Sequence, residues 1–424
     1  MKRILSLLTL VSLAANFIFA QQTPVKDEQP DEIKRLNEFS RRLSYSPQDS
    51  LLKRLEKMRA LAIEFPESKE VEHGMLMDIM SQETVNLGNY RDALIFSDFK
   101  AKTYPDNPSD ADLLKDYRPV GAVEAIAKAS ANRQIVMINE AHHIPQHRVI
   151  TIELLKALKK QGYRYFAAET LFETDADLNK RGYPLRTSGA YLEEPIYGDV
   201  VRTALKLGYK VIPYDVSGGP DARERGAATN LKNRIFQNDP QARVLIHVGY
   251  GHNSEGTRAN GTKLLAGYLR EFTGIDPLTI DQTLMTERSR PEYEFSLYRM
   301  VMTRYKPEKP VVFQNSKEEF WTFKNSGRDI TLFSSRSVYL NNRPTWLKLN
   351  GERREYLLPK DVCGAQAHCL VRARIAEESA DAVAIDQIEA KTNQANALLL
   401  PKGNFVVESE DAQGKKLKTF NVKK

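Results

Sequence analysis

Cysteine is almost missing from this chain. Only Cys363 and Cys369 occur among 424 residues, too few for a disulfide-built scaffold or for a zinc site of two cysteine pairs. Histidine is scarce too, with seven in all. Past residue 20, no apolar run is long enough to cross a bilayer. There is no GxSxG elbow and no GxxxxGK(S/T) loop. Their absence removes the strained-serine nucleophile and the phosphate-cradling loop from consideration. The glycines of "GYGHNSEG" allow a tight turn after a strand but do not match a dinucleotide fingerprint. Nor is there a long basic block with interleaved aromatics. Lys and Arg number 62 against 55 Asp and Glu, a formal charge of +7. The two signs are interspersed, so nucleic acid is not an expected partner. Mild attraction to an anionic envelope surface is the most this charge allows.

The chain opens "MKRILSLLTLVSLAANFIFAQQTP". A positive start, a mostly apolar run and a polar stretch after Ala20 read as a secretory signal over residues 1–20, cleaved near Gln21. The run is short for a membrane anchor, so no transmembrane span is expected after cleavage. Export, to the periplasm, the envelope or the medium, gives the cysteine pair a meaning. In an oxidising compartment Cys363 and Cys369 are expected to close a small disulfide loop, worth about 2 kcal/mol by the chain-entropy rule. Metal binding by Cys363, His368 and Cys369 is the alternative, and it lacks a second ligand pair.

A length of 424 residues predicts two or three domains. Residues 21–30 are polar and proline-flanked, a flexible leader. Residues 31–118 carry apolar positions at three- and four-residue spacing, as in "DSLLKRLEKMRALAIEFP", and read as helices. Residues 119–305 alternate short strands with amphipathic helices: "QIVMI", "YRYFAAET", "YKVIPYD" and "ARVLIHVGYGH" are the strands. That alternation predicts an α/β fold, a mostly parallel sheet with helices on both faces. Residues 306–424 break into short β-type runs, expected as a small all-β, sandwich-like domain ending in a hairpin. A small helical-hairpin domain therefore precedes the sheet and a β-rich one follows it.

Ligands of an open parallel sheet bind beyond the carboxyl ends of its strands. There the sequence places chemistry. "IVMINEAHHIPQHR" puts Glu140, His142 and His143 directly after one strand, with His147 and Arg148 following. The other strands deliver Glu169, Asp215 and His252. Two histidines with a carboxylate suit a divalent metal such as Zn or Mn, with Glu140, His142 and His252 as ligands. Alternatively, Glu140 orients a histidine that acts as a general base on water, and Arg148 binds a substrate carboxylate or the developing oxyanion. His247, inside its strand, reads as a hydrogen-bonded core residue. His147 reads as solvated near a helix start, His73 as a helix-surface residue, and Arg223 and Glu224 as surface charges.

These residues resemble the erythromycin esterase / ChaN / Tiki superfamily over roughly residues 119–290. Asn139-Glu140-Ala141-His142-His143 is similar to its GExH or GExxH segment, with Asn139 in place of the usual glycine. Gly249-Tyr250-Gly251-His252 is similar to its GxxH segment, and Glu169 in "AAETLF" matches its second glutamate. "RERGAATN" is similar to an RDxxMAxN stretch of esterase-like members. His142 has the Tiki and ChaN spacing, which implies metal or haem chemistry. His143 has the esterase spacing, which implies a metal-free base. "GNYRDALIFSDFKAKTYP", with Gly88, Tyr90, Ala93 and Pro105, resembles half of a tetratricopeptide repeat and implies either a protein-binding groove or a helical cap.

The leading expectation is an exported hydrolase that cleaves an ester, lactone or amide in a small-molecule or peptide substrate. Its catalytic set is Glu140, His142, His143, Glu169, His252 and Arg148. The alternatives are a non-catalytic haem- or metal-binding envelope protein and an interaction scaffold around an inactive core.

Overall fold

The computed structural model describes residues 31–424 apart from 45, 47–48, 68–69, 100 and 259–260. The expected signal and leader lie outside the described residues. The central feature is an eight-stranded sheet. Its strands are β1 (Arg118–Gly121), β2 (Ile135–Glu140), β3 (Tyr165–Ala168), β4 (Lys210–Pro213), β5 (Val244–Gly249), β6 (Leu278–Met285), β7 (Val311–Gln314) and β8 (Ile330–Phe333). They lie in the order β1-β7-β8-β6-β2-β5-β3-β4. From β8 to β4 every pairing is parallel, and only β7 runs antiparallel to its neighbours.

The strands alternate sides as extended chain must. Val136, Ile138, Phe166 and Leu245 pack under the helices Ala122–Ala129, Gln146–Lys159 and Pro195–Lys206. Ile135, Met137, Ala167 and Ile246 pack against Pro220–Leu231 and Leu265–Thr273 on the other face. This is the mostly parallel, doubly covered sheet that the sequence predicts. Among the described residues no helix is long and apolar enough to cross a membrane.

Two placements differ from the sequence reading. Val311–Gln314 and Ile330–Phe333, assigned to the β-rich section, are β7 and β8 of the main sheet. A short apolar run shows that it is a strand but not which sheet it joins. The second is β6, "LTIDQTLM", which pairs with β2 at the centre of the sheet. Asp281 and Gln282 hide it from a hydrophobic pattern, yet both are buried. Asn139 bonds to both: its Nδ2 donates to Asp281 Oδ1 at 2.9 Å, and its Oδ1 accepts from the Gln282 N–H at 2.9 Å.

The remaining strands are β9 (Tyr339–Leu340), β10 (Arg343–Pro344), β11 (Arg354–Leu357), β12 (His368–Ile375), β13 (Asp386–Lys391), β14 (Ala397–Leu400), β15 (Asn404–Glu410) and β16 (Lys416–Lys423). A four-stranded antiparallel sheet, β13-β12-β15-β16, packs on the β11-β14 pair through Val371, Ile388, Leu398 and Phe405. β15 and β16 form the expected terminal hairpin. "TWLKLNG", one of the runs whose composition predicts a strand, forms 3-10 helical turns. Cys363 and Cys369 are joined as a disulfide, so they are not metal ligands.

The N-terminal helices Asp31–Leu43, Leu51–Glu64, Glu70–Asn86 and Tyr90–Ser97 bury a core of Phe39, Leu52, Leu55 and Leu76. Leu370 of β12 completes it. Gly88, at φ +72, ends the third of these helices and lies so close to β13 that a Cβ would stand 2.5 Å from the Gln387 carbonyl. His73 is buried, with Nδ1 2.6 Å from the Phe65 carbonyl oxygen, rather than on a helix surface.

Candidate functional site

β2, β5, β3 and β4 are consecutive in the sheet and parallel, so their carboxyl ends share one edge. Glu140 ends β2, Gly249 ends β5, Glu169 follows β3 and Asp215 follows β4. Side-chain parity puts Glu140 on the same face as Ile138, toward the helix Gln146–Lys159. Arg148, from the first turn of that helix, meets it as a fork: Nε lies 2.7 Å from Glu140 Oε2 and Nη2 lies 2.8 Å from Oε1. The second arm of Arg148 donates to Glu194 at 2.6 Å. Both Glu140 and Arg148 are 1% exposed. Burial alone would raise the Glu140 pKa, but Arg148, aided by His247 and His142, holds the carboxyl well below the usual range.

An ionised carboxylate only accepts, and this fixes the tautomer of His142. Its Nδ1 lies 3.0 Å from Glu140 Oε1, so Nδ1 carries the proton and Nε2 holds a lone pair. No hydrogen bond to Nε2 occurs among the described residues. The imidazole lies across the end of β5. A Cβ added to Gly249 would stand 2.6 Å from His142 Nε2 and 2.8 Å from Glu169 Oε2, which is why this position is glycine. Two rings flank His142: Tyr191 at 4.5 Å between centroids and Tyr250 at 4.8 Å, edge-on. Tyr250 sits at φ +39, outside ordinary non-glycine backbone. Its N–H donates to the Glu140 carbonyl at 2.7 Å, and its carbonyl accepts from Asn139 Nδ2 at 2.6 Å. Asn139 thus supports the turn by hydrogen bonds where the resemblance expects a glycine.

The second cluster adjoins the first. Glu169 Oε1 takes Arg223 Nη2 at 2.5 Å, and its other oxygen takes the Gly249 N–H. Burial opposes its ionisation, but His252 and Arg223 prevail and lower its pKa to about 2. His252 Nδ1 lies 2.8 Å from Glu224 Oε1, and its Nε2 accepts from Arg223 Nη1 at 3.1 Å. Nε2 is also 3.7 Å from Glu169 Oε1. Burial would lower the His252 pKa, yet Glu169 and Glu224 raise it. Asp215 completes the set by binding Arg223 at 2.9 and 3.0 Å. These groups line a small recess of about 10 Å³.

The edge therefore gathers Glu140, His142, Glu169 and His252. It does not gather the others as expected. His143 turns away from Glu140: Nδ1 is 3.1 Å from the Tyr250 hydroxyl and Nε2 is 2.7 Å from Ser97 Oγ. Arg148 lies behind Glu140 with its donors engaged, so it does not face a substrate oxyanion. His147 is fully buried rather than solvated; its Nδ1 accepts the Ala141 N–H at 3.1 Å, and burial lowers its pKa to about 3. Arg223 and Glu224 belong to the site rather than to the surface.

The sequence places His247 in the core and nothing more. It is core, with Nδ1 2.9 Å from Thr151 Oγ1, but its Nε2 is also 3.0 Å from Glu140 Oε2, off the line of a hydrogen bond. The signal was available: His247 shares the parity of Leu245, toward Arg148 and Thr151, which are spaced one turn apart on the facing helix.

The donor set does not fit a metal. Both Glu140 oxygens are taken by the Arg148 fork, and a guanidinium there competes with a cation. His252 Nε2 is likewise taken by Arg223. Among the described residues no group of three His, Cys, Asp or Glu side chains is arranged to hold an ion. Nor does the site fit a haem: the recess lined by Glu169, Arg223 and His252 has room for about one water, and His142 does not line it.

No protein-family model matches the chain, and no curated protein matches it. Among solved structures, one described as the type III effector HopBA1 is 14% identical over 54% of this chain and 99% of its own, at a TM-score of 0.34. Two described as bacterial protein toxins are 12% and 13% identical over 62% of this chain and 68% of theirs, each at 0.30. Likenesses this distant carry no inference about what the chain does.

Proposed function

We propose that the chain is an exported hydrolase of the erythromycin esterase / ChaN / Tiki type, working without a metal on an ester, lactone or amide. The observation that carries this is the His142 imidazole. Its Nδ1 lies against the ionised Glu140, and its Nε2, at the end of β5, has no hydrogen-bond partner among the described residues. That is the arrangement of a general base on water. As water attacks the carbonyl carbon, its proton passes to His142 Nε2. The positive charge gained there is stabilised by Glu140 on one side and by Glu169 across Gly249 on the other. The imidazolium then returns that proton to the departing oxygen or nitrogen, while His252, bound between Glu224 and Arg223, holds Arg223 against Glu169. Arg148, His247 and Glu194 keep Glu140 ionised and still. The Glu-x-His spacing of the acting pair is that of the Tiki and ChaN members, whereas the donor set favours the metal-free chemistry of the esterases. The disulfide supports export.

The test is hydrolysis of a panel of esters, lactones and peptides by the full chain and its variants. His142→Ala is expected to lower kcat/KM by about 10²–10⁴-fold, the usual worth of a general base. His143→Ala should retain far more of the rate. Unchanged hydrolysis in His142→Ala would refute the assignment. Bound metal or a Soret band lost in that variant, without hydrolysis in the wild type, would move the reading to a carrier.

A further inference from the structure

We infer that the N-terminal helices hold the two tyrosines that flank His142, and so act on the site rather than serving as a docking groove. Two separate links carry this, from different helices to different rings. The first runs from Ser97, at the end of the helix Tyr90–Ser97. Its Oγ is 2.7 Å from His143 Nε2, and His143 Nδ1 is 3.1 Å from the Tyr250 hydroxyl. His143 is thereby a positioning residue that ties one ring to the helical section. The second runs from Arg54 in the helix Leu51–Glu64. This arginine is 6% exposed and joins Glu83 of the next helix to the half-buried Glu193 carboxylate. Glu193 lies two residues from Tyr191. Its carbonyl accepts from Gln387 Nε2 of β13 at 2.7 Å, and Gln387 also binds the Asn86 carbonyl at the end of a third helix. Glu194, next along, takes Arg148 at 2.6 Å and the Tyr90 hydroxyl at 3.4 Å.

A surface groove for a partner does not need a buried guanidinium joined to the next section of the chain, which is costly to desolvate. A wall that must hold its place does. The ring centroids of the tyrosines stand 4.5 and 4.8 Å from that of His142, so their placement sets the space around the imidazole. Tyr191 and Tyr250 are then specificity-determining residues, and Arg54, Ser97 and His143 are positioning residues. The placement stands on geometry alone; only its effect on rate rests on the hydrolase reading.

The experiment is long-range ¹H–¹⁵N NMR of the seven imidazoles in the labelled full chain. An aromatic ring beside His142 shifts its resonances by ring current, so removing either ring marks the effect. Tyr191→Leu and Tyr250→Leu give the reference shifts. Arg54→Met is expected to move the His142 resonances toward those of Tyr191→Leu, and Ser97→Ala toward those of Tyr250→Leu. His247 should stay in place, and Arg54→Lys should restore part of the shift. Where the wild type has measurable hydrolysis, each variant should lose roughly tenfold in kcat/KM from misplaced groups. His142 resonances unmoved in both Arg54→Met and Ser97→Ala, while the tyrosine variants move them, would overturn the inference. If Arg54→Met does not fold, Glu193→Gln cuts the same link. A wild type that hydrolyses nothing defeats the proposed function but leaves the NMR comparison decisive.

Discussion

At the scale of single residues, burial decides which histidines can act. His147 is locked neutral, because Nδ1 must accept the Ala141 N–H and no water reaches the ring. Its pKa falls from 6.5 to about 3. The unfolded chain therefore binds a proton that the folded chain refuses across that window. Its contribution to stability is full above pH 6.5 and is lost as pH falls toward 3. Burial lowers His143 as well, in the same sense, and Glu169 adds a further loss as pH falls from 4.5 to about 2. His252, raised by Glu169 and Glu224 against its burial, has the opposite sign: its contribution is present below pH 6.5 and fades as pH rises through its folded value. Denaturant titrations of wild type and His147→Asn check this. The Asn side chain can still accept from Ala141 but does not titrate. Between pH 6.5 and 3 its stability should fall less steeply, by about 1.4 kcal/mol per pH unit, the slope of one proton.

At the scale of elements, strand parity and helix spacing bring the chemistry together. Glu140 and His247 sit on adjacent strands and face the same helix, which offers Arg148 and Thr151 one turn apart. The opposite parity carries Asn139 to the other side, where it joins β2 to β6 and to Tyr250. Asn139→Gly restores the residue that the family resemblance leads one to expect, yet here it should destabilise. The buried Gln282 N–H loses its acceptor, which costs about 1–3 kcal/mol, and the Asp281 carboxylate loses one donor while keeping Thr283. Chemical denaturation should show that loss, and Tyr250 should become less ordered by NMR relaxation. A stability equal to wild type would show that β6 finds other partners.

At the scale of the whole molecule, the three stretches of chain are tied by buried charge as well as by shared cores. Arg343, 2% exposed, binds Asp386 and the Gly88 carbonyl, joining the segment after the main sheet to β13 and the helices. Arg353 binds Asp199 of the helix Pro195–Lys206. Arg353→Met leaves Asp199 without its buried partner, and about 3–5 kcal/mol of stability should go with it. Far-UV circular dichroism and the fluorescence of Trp321 and Trp346 should follow one coincident transition, since Leu370 sits in the helical core. Two separated transitions would mean that the sections fold independently.

The sequence by itself determined the parallel sheet, its helices on both faces, the terminal hairpin and the identity of Glu140, Glu169 and His252 as strand-end groups. Each of these follows from local periodicity and from the rule that parallel sheets present their ligands at one edge. It left open whether His142 or His143 meets Glu140, because adjacent residues in a turn have no fixed parity. Only the tertiary structure decided that, along with the burial of Arg148, His147 and Arg223, and the central place of β6. Those outcomes depend on which charged groups find partners across the fold. A partner such as Arg223 for Glu169, 54 positions away in the chain, leaves no trace in local spacing.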